Sequence, residues 1–295
     1  MNPEHILKLR NAAKRASLGG RFMLPLRVLR RAFQGAAGTV RIGDFDGDLG
    51  IDLRLSEHMQ SRIFWMGYYN REVVATLNQL LQPGMTFIDI GANIGEVSMI
   101  AAKRVGAQGS VIAFEPVTHH ADRLQRHLSD NALDWVRVER IALGDRTGEQ
   151  VMYDPAGADN PHDENFGLGS LFGGEDASAI GTVEVTTLDA YLVQNPVQRL
   201  DLIKIDIEGA ELPCLVGARE TISRYLPHLI VEVQAASARA AGYEQSAILE
   251  ELATHGYTFR RLTIAGATDP VEVGTLHEYQ NVLCVPPART PTRTP

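Results

Sequence analysis

Apolar and polar positions fall into short blocks with two different periods. Phe87, Ile88 and Ile90 form one apolar run, and Val111, Ile112, Ala113 and Phe114 form another. Runs this short and this apolar predict parallel strands covered on both faces. Leu200–Ile207 and Leu229–Val233 repeat the pattern, and Val136–Leu143 reads as a further strand. Between the runs the period lengthens. Val97, Ile100, Ala101 and Val105 recur at helical spacing, as do Leu212, Leu215, Val216, Ala218 and Ile222. Asp122–Leu128, Leu188–Val193 and Ser246–Thr254 predict more helix, and Thr258–Thr263 with Asn281–Val285 a closing pair of strands. Such alternation predicts an α/β domain around a mostly parallel sheet, here of about seven strands, with helices on both faces.

The flanks carry other patterns. Residues 1–37 read as a basic helical extension, with Ile6, Leu7, Leu9 and Ala13 on one apolar side and Leu26, Leu29 and Phe33 on a second. Residues 38–82 read as a small β-hairpin followed by an entry helix from Ser61 to Leu81, whose core face is Val73, Val74, Leu77, Leu80 and Leu81. Trp65, Tyr68 and Tyr69 precede that face, where aromatics either close over a ligand or simply pack. The main domain spans residues 83–286, and the Pro- and Thr-rich tail 287–295 is expected to be disordered. Within the main domain, residues 152–182 read as a long loop, of the kind that serves as a lid, a binding loop or a disordered segment. A strand resumes at Val183–Thr187.

Composition adds limits. Of 295 residues 44% are hydrophobic, enough for a proper core, and the net charge of -8 argues against general affinity for nucleic acid. Positive charge concentrates before residue 42, where Glu4 is the one acid. That segment is expected to be a solvated extension packed loosely on the domain; the alternative is a peripheral membrane or dimer contact. Cys214 and Cys284 sit in apolar stretches and read as buried thiols of a reduced, cytoplasmic protein. No apolar run approaches a membrane span, and no segment has the order of a signal peptide. Asp44, Asp46 and Asp48 alternate as calcium ligands do, but the later glutamate of an EF-hand is missing, so a turn-rich hairpin is expected. His119, His120 and His127 lack a ligand spacing with a supporting acid and read as surface residues.

Candidate chemistry centres on the turn after the first core strand, Asp89-x-Gly91-Ala92-Asn93-x-Gly95. It does not fit the dinucleotide pattern G-x-G-x-x-G. An acid two residues before the first glycine repels a pyrophosphate and suits a cationic ligand, and S-adenosylmethionine carries an ammonium and a sulfonium but no phosphate. Glu115, followed by Pro116, stands at the carboxyl end of the next strand, where an acid accepts hydrogen bonds from ribose hydroxyls. The Ala142 backbone or the Asp145 carboxylate is placed to meet an adenine amino group. Asp206, Glu208 and Glu232 close the fourth and fifth strands. Three acids at that edge predict either a general base, Glu208 or Glu232, with Asp206 near the methionine end of the cofactor, or a site for magnesium. The plainer reading is that Asp206 and Glu208 favour the start of the following helix. Lys204 is expected to anchor the cluster by an ion pair.

Taken together, Phe87-Ile-Asp-Ile-Gly-Ala-Asn-Ile-Gly-Glu-Val-Ser98, Ala113-Phe-Glu-Pro116, Ala142-Leu143, Gly169-Ser170-Leu171, Thr187-Leu188-Asp189, Lys204-Ile-Asp-Ile-Glu-Gly-Ala-Glu211 and Ile230-Val-Glu-Val233 resemble the FkbM family of S-adenosylmethionine-dependent methyltransferases. The resemblance runs from roughly Ser61 to Val233. It implies a Rossmann-like class I methyltransferase fold and transfer of a methyl group to a hydroxyl of a small molecule, a sugar or a polyketide-type product. Nitrogen-methylating enzymes often carry Asn/Asp-Pro-Pro-Tyr after the fourth strand, and Asp206-Ile-Glu-Gly stands there instead, which favours oxygen. A macromolecular substrate and a non-catalytic, cofactor-binding scaffold are the other readings.

Overall fold

The computed structural model describes residues 3–16, 24–33, 36–154, 169–173 and 177–288. The expected disorder of the tail and most of the acidic loop, including Asp159, His162 and Asp163, lie outside the described residues. Helices α1 (Pro3–Ala16) and α2 (Leu24–Ala32) precede an antiparallel hairpin, β1 (Thr39–Phe45) and β2 (Leu49–Arg54). The entry segment is two helices, α3 (His58–Met66) and α4 (Arg71–Leu80), because the chain turns at Gly67 with a φ of 90°. Then follow β3 (Thr86–Ile90), α5 (Glu96–Val105), β4 (Ser110–Phe114), α6 (Thr118–Asp130), β5 (Val136–Glu139), β6 (Ala142–Leu143), β7 (Gly148–Asp154) and β8 (Ser178–Thr186). The last part comprises α7 (Leu188–Gln194), β9 (Leu202–Ile205), α8 (Glu211–Val216), α9 (Arg219–Tyr225), β10 (His228–Gln234), α10 (Ala235–Ala240), α11 (Ser246–Thr254), β11 (Thr258–Thr263), β12 (Gly266–Pro270) and β13 (Tyr279–Val285).

The main sheet has eight strands in the order β12-β11-β13-β10-β9-β3-β4-β5. From β10 to β5 every pairing is parallel, and β13, β11 and β12 complete the sheet antiparallel. The strand beyond the expected seven is β12, which returns against β11 after a turn at Gly266. Side chains of the parallel strands alternate between two cores, as the period of two requires. Phe87, Val111, Leu202 and Ile230 enter one, and Ile88, Ile112, Ile203 and Val231 the other. That double burial explains why these strands read as almost continuous apolar runs.

Sequence periodicity misplaced two segments. The expected strand Val136–Leu143 is split: β5 stays in the main sheet, while Ala142 and Leu143 leave it to pair with β8 in a second sheet ordered β6-β8-β7. The supposed loop 152–182 begins and ends in strand, since β7 and β8 pair antiparallel from Gly148–Val185 to Asp154–Ser178. Both strands have exposed, weakly alternating positions, so burial left no signal to read.

The N-terminal helices pack more tightly than loose attachment implies. Ile6 and Leu26 are buried in the same core cluster as Leu53, Ile63 and Phe64. Arg10 is 2% exposed, with Nε donating to the Phe64 carbonyl at 2.5 Å and its guanidinium 3.0 Å from Asp44. In the hairpin turn, Asp46 is paired with Arg104 at 2.6 Å and Asp48 with Lys103, so these acids hold cations of the chain itself. Trp65 stacks on Phe33 and is core. His120 and His127 are buried rather than superficial. His127 Nδ1 lies 2.9 Å from the Ile94 carbonyl and its Nε2 accepts the Asp52 N–H at 3.1 Å, which ties the hairpin to the turn after β3. Among the described residues, no helix is long and apolar enough to cross a membrane.

Candidate cofactor and acceptor site

Strand order reverses between β3 and β9: the chain builds outward from β3 to β5 on one side and from β9 to β10 on the other. A crevice opens beyond the carboxyl ends of the strands at such a point. Here it is a cleft of about 300 Å³.

One wall is the turn after β3. The N–H groups of Gly91 and Ala92 both donate to the Phe114 carbonyl, at 3.1 and 3.0 Å. Gly91 has φ +81°, and a Cβ there would lie 1.9 Å from the Asp206 carbonyl oxygen, so only glycine lets β3 and β9 come this close. Asn93 adopts φ 49°, and its N–H donates to Glu115 Oε2 at 2.8 Å. Glu115 Oε1 accepts the Val117 N–H at 2.9 Å. Each of its oxygens keeps a lone pair for a ligand. Gly91, Ala92, Asn93, Glu115, Pro116 and Ala142 all line the cleft.

Three expected contacts lie elsewhere. Asp89 is fully buried behind the turn, where Oδ2 accepts from Ser98 Oγ at 2.5 Å and Oδ1 lies 3.6 Å from Lys204 Nζ. Gly95 faces helix α6: a Cβ there would meet Leu124 Cδ1 at 2.3 Å. Asp145 stands outside the cleft lining, 47% exposed beside Arg146.

The opposite wall holds the strand-end acids. One carboxylate oxygen from each of Asp206, Glu208 and Glu232 lies within 4.8 Å of the others. Lys204 joins them to the turn. Its Nζ is 3.3 Å from Asp206 and donates to the Gly91 carbonyl at 3.0 Å. Burial works to lower the Lys204 pKa, but Asp206 and Asp89 outweigh it, so the group is held charged. Burial and Asp206 push Glu208 up to about 7, opposed by the Ser237 hydroxyl, which donates to Oε2 at 3.0 Å. Glu232 is raised well above the usual carboxylate range by burial, Asp206 and Glu208, and among the described residues its Oε2 has no hydrogen-bond partner. No side-chain hydrogen bond caps the following helix at Ala210; Glu211 in its first turn accepts the N–H groups of Ile207 and Gly209 in the turn before it, at 3.0 and 2.9 Å. The three acids offer the hard oxygen donors that Mg²⁺ takes, and the orphaned Glu232 oxygen is a free donor atom for it.

Periodicity missed several lining residues. Glu96 is 6% exposed, accepts the Tyr69 N–H at 2.7 Å, and is pushed up to about 7 by burial. Its place directly after the glycine turn was the available signal. His58 comes from α3 and Tyr279 from β13, far away in sequence, while Tyr69, one of the aromatics expected either to close over a ligand or to pack, lines the cleft from the turn between α3 and α4. Gly169 and Leu171 line the cleft too, and between them Ser170 Oγ donates to the Glu208 carbonyl at 2.7 Å.

Residues 89–259, more than half of the chain, match the family model described as the methyltransferase FkbM domain. The chain belongs to that family. It therefore carries an S-adenosylmethionine-dependent methyltransferase domain, and the FkbM span contains the glycine turn and all three strand-end acids. The chain is 26% identical over 237 residues to the AMB antimetabolite synthetase AmbE of Pseudomonas aeruginosa, across 70% of this chain and 11% of that one. It is 27% identical to the 2-O-methyltransferase NoeI of Sinorhizobium fredii, across 52% of this chain and 65% of that one. It is 26% identical to the hexuronic acid methyltransferase AglP of Haloferax volcanii, across 56% and 62%. The chain thus spans less than two thirds of each of these relatives.

Proposed function

We propose that this protein transfers the methyl group of S-adenosylmethionine to a hydroxyl of a small molecule, a sugar or glycoside or a polyketide-type product. The observation that carries the reading is the acid cluster Asp206, Glu208 and Glu232, joined through Lys204 to the glycine turn of a methyltransferase domain. In this reading Glu115 holds the ribose, Asn93 and Ala92 border the cofactor, and Asp206 receives its methionine end.

Methyl transfer is an in-line displacement. The acceptor oxygen forms a bond to the methyl carbon, the carbon–sulfur bond breaks, and its electron pair stays on sulfur as a neutral thioether. The hydroxyl proton must leave, and the Glu208–Glu232 pair takes it. Carboxylates with pKa values raised toward neutrality suit that task, because a base works best near the working pH. A magnesium ion on Asp206, Glu208 and Glu232 would supply a Lewis acid that makes the hydroxyl easier to ionise. The similarity to NoeI, a 2-O-methyltransferase, and AglP, a hexuronic acid methyltransferase, supports a hydroxylated sugar acceptor.

The test is a panel of glycosides and hydroxylated polyketides incubated with methyl-labelled S-adenosylmethionine, alongside calorimetric titration with S-adenosylhomocysteine. Label on an acceptor oxygen, with cofactor affinity reduced in Glu115→Ala, supports the reading. Label on nitrogen, or no transfer by a protein that binds S-adenosylhomocysteine, counts against it. Loss of activity in EDTA, restored by magnesium, assigns the ion.

A further inference from the structure

The N-terminal extension packs on α3, an element that lines this cleft. Helix α2 packs on α3, and Phe33 just beyond α2 stacks on Trp65 of α3 with ring centroids 6.0 Å apart. On α3, His58 and Met59 line the cleft, and Arg62, one turn further on, shares their face. The Arg62 guanidinium sits over the ring of Tyr69, 5.4 Å from its centroid, and Tyr69 itself lines the cleft. Arg62 also acts on Glu96 inside the cleft, holding its carboxyl lower than burial alone would. Arg30 of α2 is half-buried on the same side. Arg30 stands one turn before Phe33 and Arg62 one turn before Trp65, so the Phe33–Trp65 stack joins the two helices one turn from each arginine. Burial and then Arg62 lower the Arg30 pKa, while Tyr69 opposes them.

Among the described residues neither arginine has an acid within ion-pair distance, unlike Arg54 on the preceding strand, which lies 3.6 Å from Glu57. Two half-buried like charges held together without a carboxylate cost stability, and an anion between them would offset that cost. The cleft floor carries three acids, which repel an anionic ligand unless its charge points away from them.

Resting on the proposed methyl transfer, we infer that Arg30 and Arg62 bind an anionic substituent of the acceptor, a carboxylate or phosphate on a sugar-sized molecule. The extension is then part of the acceptor site. The anionic end lies at the arginine rim and the reacting hydroxyl at Glu208 and Glu232. A planar guanidinium suits both anions, since it presents paired donors.

The experiment uses the full chain saturated with S-adenosylhomocysteine and titrated with p-nitrophenyl glucoside, p-nitrophenyl glucuronide and glucose 6-phosphate. At least one anionic ligand is expected to bind about ten-fold or more tightly than the glucoside, a difference of one charge-assisted contact. Which one it is distinguishes a carboxylate from a phosphate. Arg30→Gln and Arg62→Gln each reduce the preference to about three-fold or less, while affinity for S-adenosylhomocysteine stays unchanged. The inference is overturned if neither anionic ligand is preferred, including the case where none of the three binds, or if the preference survives both substitutions. Unchanged binding of S-adenosylhomocysteine in those cases leaves the methyltransferase reading standing; its loss in the wild type would remove both.

Discussion

At the scale of single residues, two glycines of one motif do different work. Gly91 faces backbone: its missing Cβ makes room for the Asp206 carbonyl. Gly95 faces the flexible end of Leu124. Gly91→Ala is therefore expected to cost at least about 3 kcal/mol, combining positive-φ strain with overpacking against a strand, and Gly95→Ala about 1–2 kcal/mol. Chemical denaturation of both variants checks the order, and S-adenosylhomocysteine affinity should fall further in Gly91→Ala. The strand-end acids give a second test. Glu208→Gln and Glu232→Gln remove the proposed proton acceptor and should lower kcat about 10²-fold or more, with cofactor binding retained. Full turnover in both variants would sink the assignment. Asp89 shows where the motif misleads. Its position before the glycines was legible, but from sequence it reads as a ligand contact, whereas burial behind Lys204 and Ser98 leaves it no face toward the cleft.

At the scale of elements, α1 is fastened by one buried side chain. Arg10 links the Phe64 carbonyl on α3 to Asp44 on β1. Arg10→Ala leaves that buried carbonyl without this donor and breaks the pair, and it should lower stability by about 2 kcal/mol. Asp44 is partly exposed, so water limits the loss. A thermal melt of Arg10→Ala against Lys8→Ala, an exposed position on the same helix, measures it. The periodic pattern found α1 and α2 but not their docking, because a charged residue inside an apolar contact looks like a solvent-facing one. The same limit hid β7 and the first half of β8, whose side chains are mostly exposed.

At the scale of the whole molecule, the cleft stores raised carboxyl pKa values, and these set the pH response. Glu96 and Glu208 sit at about 7 in the folded chain against 4.5 for an ordinary glutamate. Between those values the folded chain keeps protons that the unfolded chain has lost. Their contribution is thus full below about 4.5 and lost as pH rises through about 7, at no more than about 1.4 kcal/mol per pH unit for each group. Asp44 and Asp46 are lowered and act in the opposite sense, so the comparison must be with a variant. Glu96→Gln should gain about 1–3 kcal/mol on the wild type between pH 5 and pH 7.5, read from urea melts at both values. A constant difference would contradict the raised pKa. Activity should rise with pH through about 7 as Glu208 ionises.

The sequence by itself determined the parallel strands, the glycine turn and the positions of Glu115, Asp206, Glu208 and Glu232. Doubly buried strands must be apolar, and sharp turns at their ends restrict residue type locally. Only the tertiary structure decided that β9 lies beside β3, that Lys204, expected to pair with the acids, also reaches the Gly91 carbonyl of the turn, and that Tyr69, Glu96 and Tyr279 share one cleft. Those are contacts across tens to hundreds of positions, set by strand order and helix packing rather than by any local pattern.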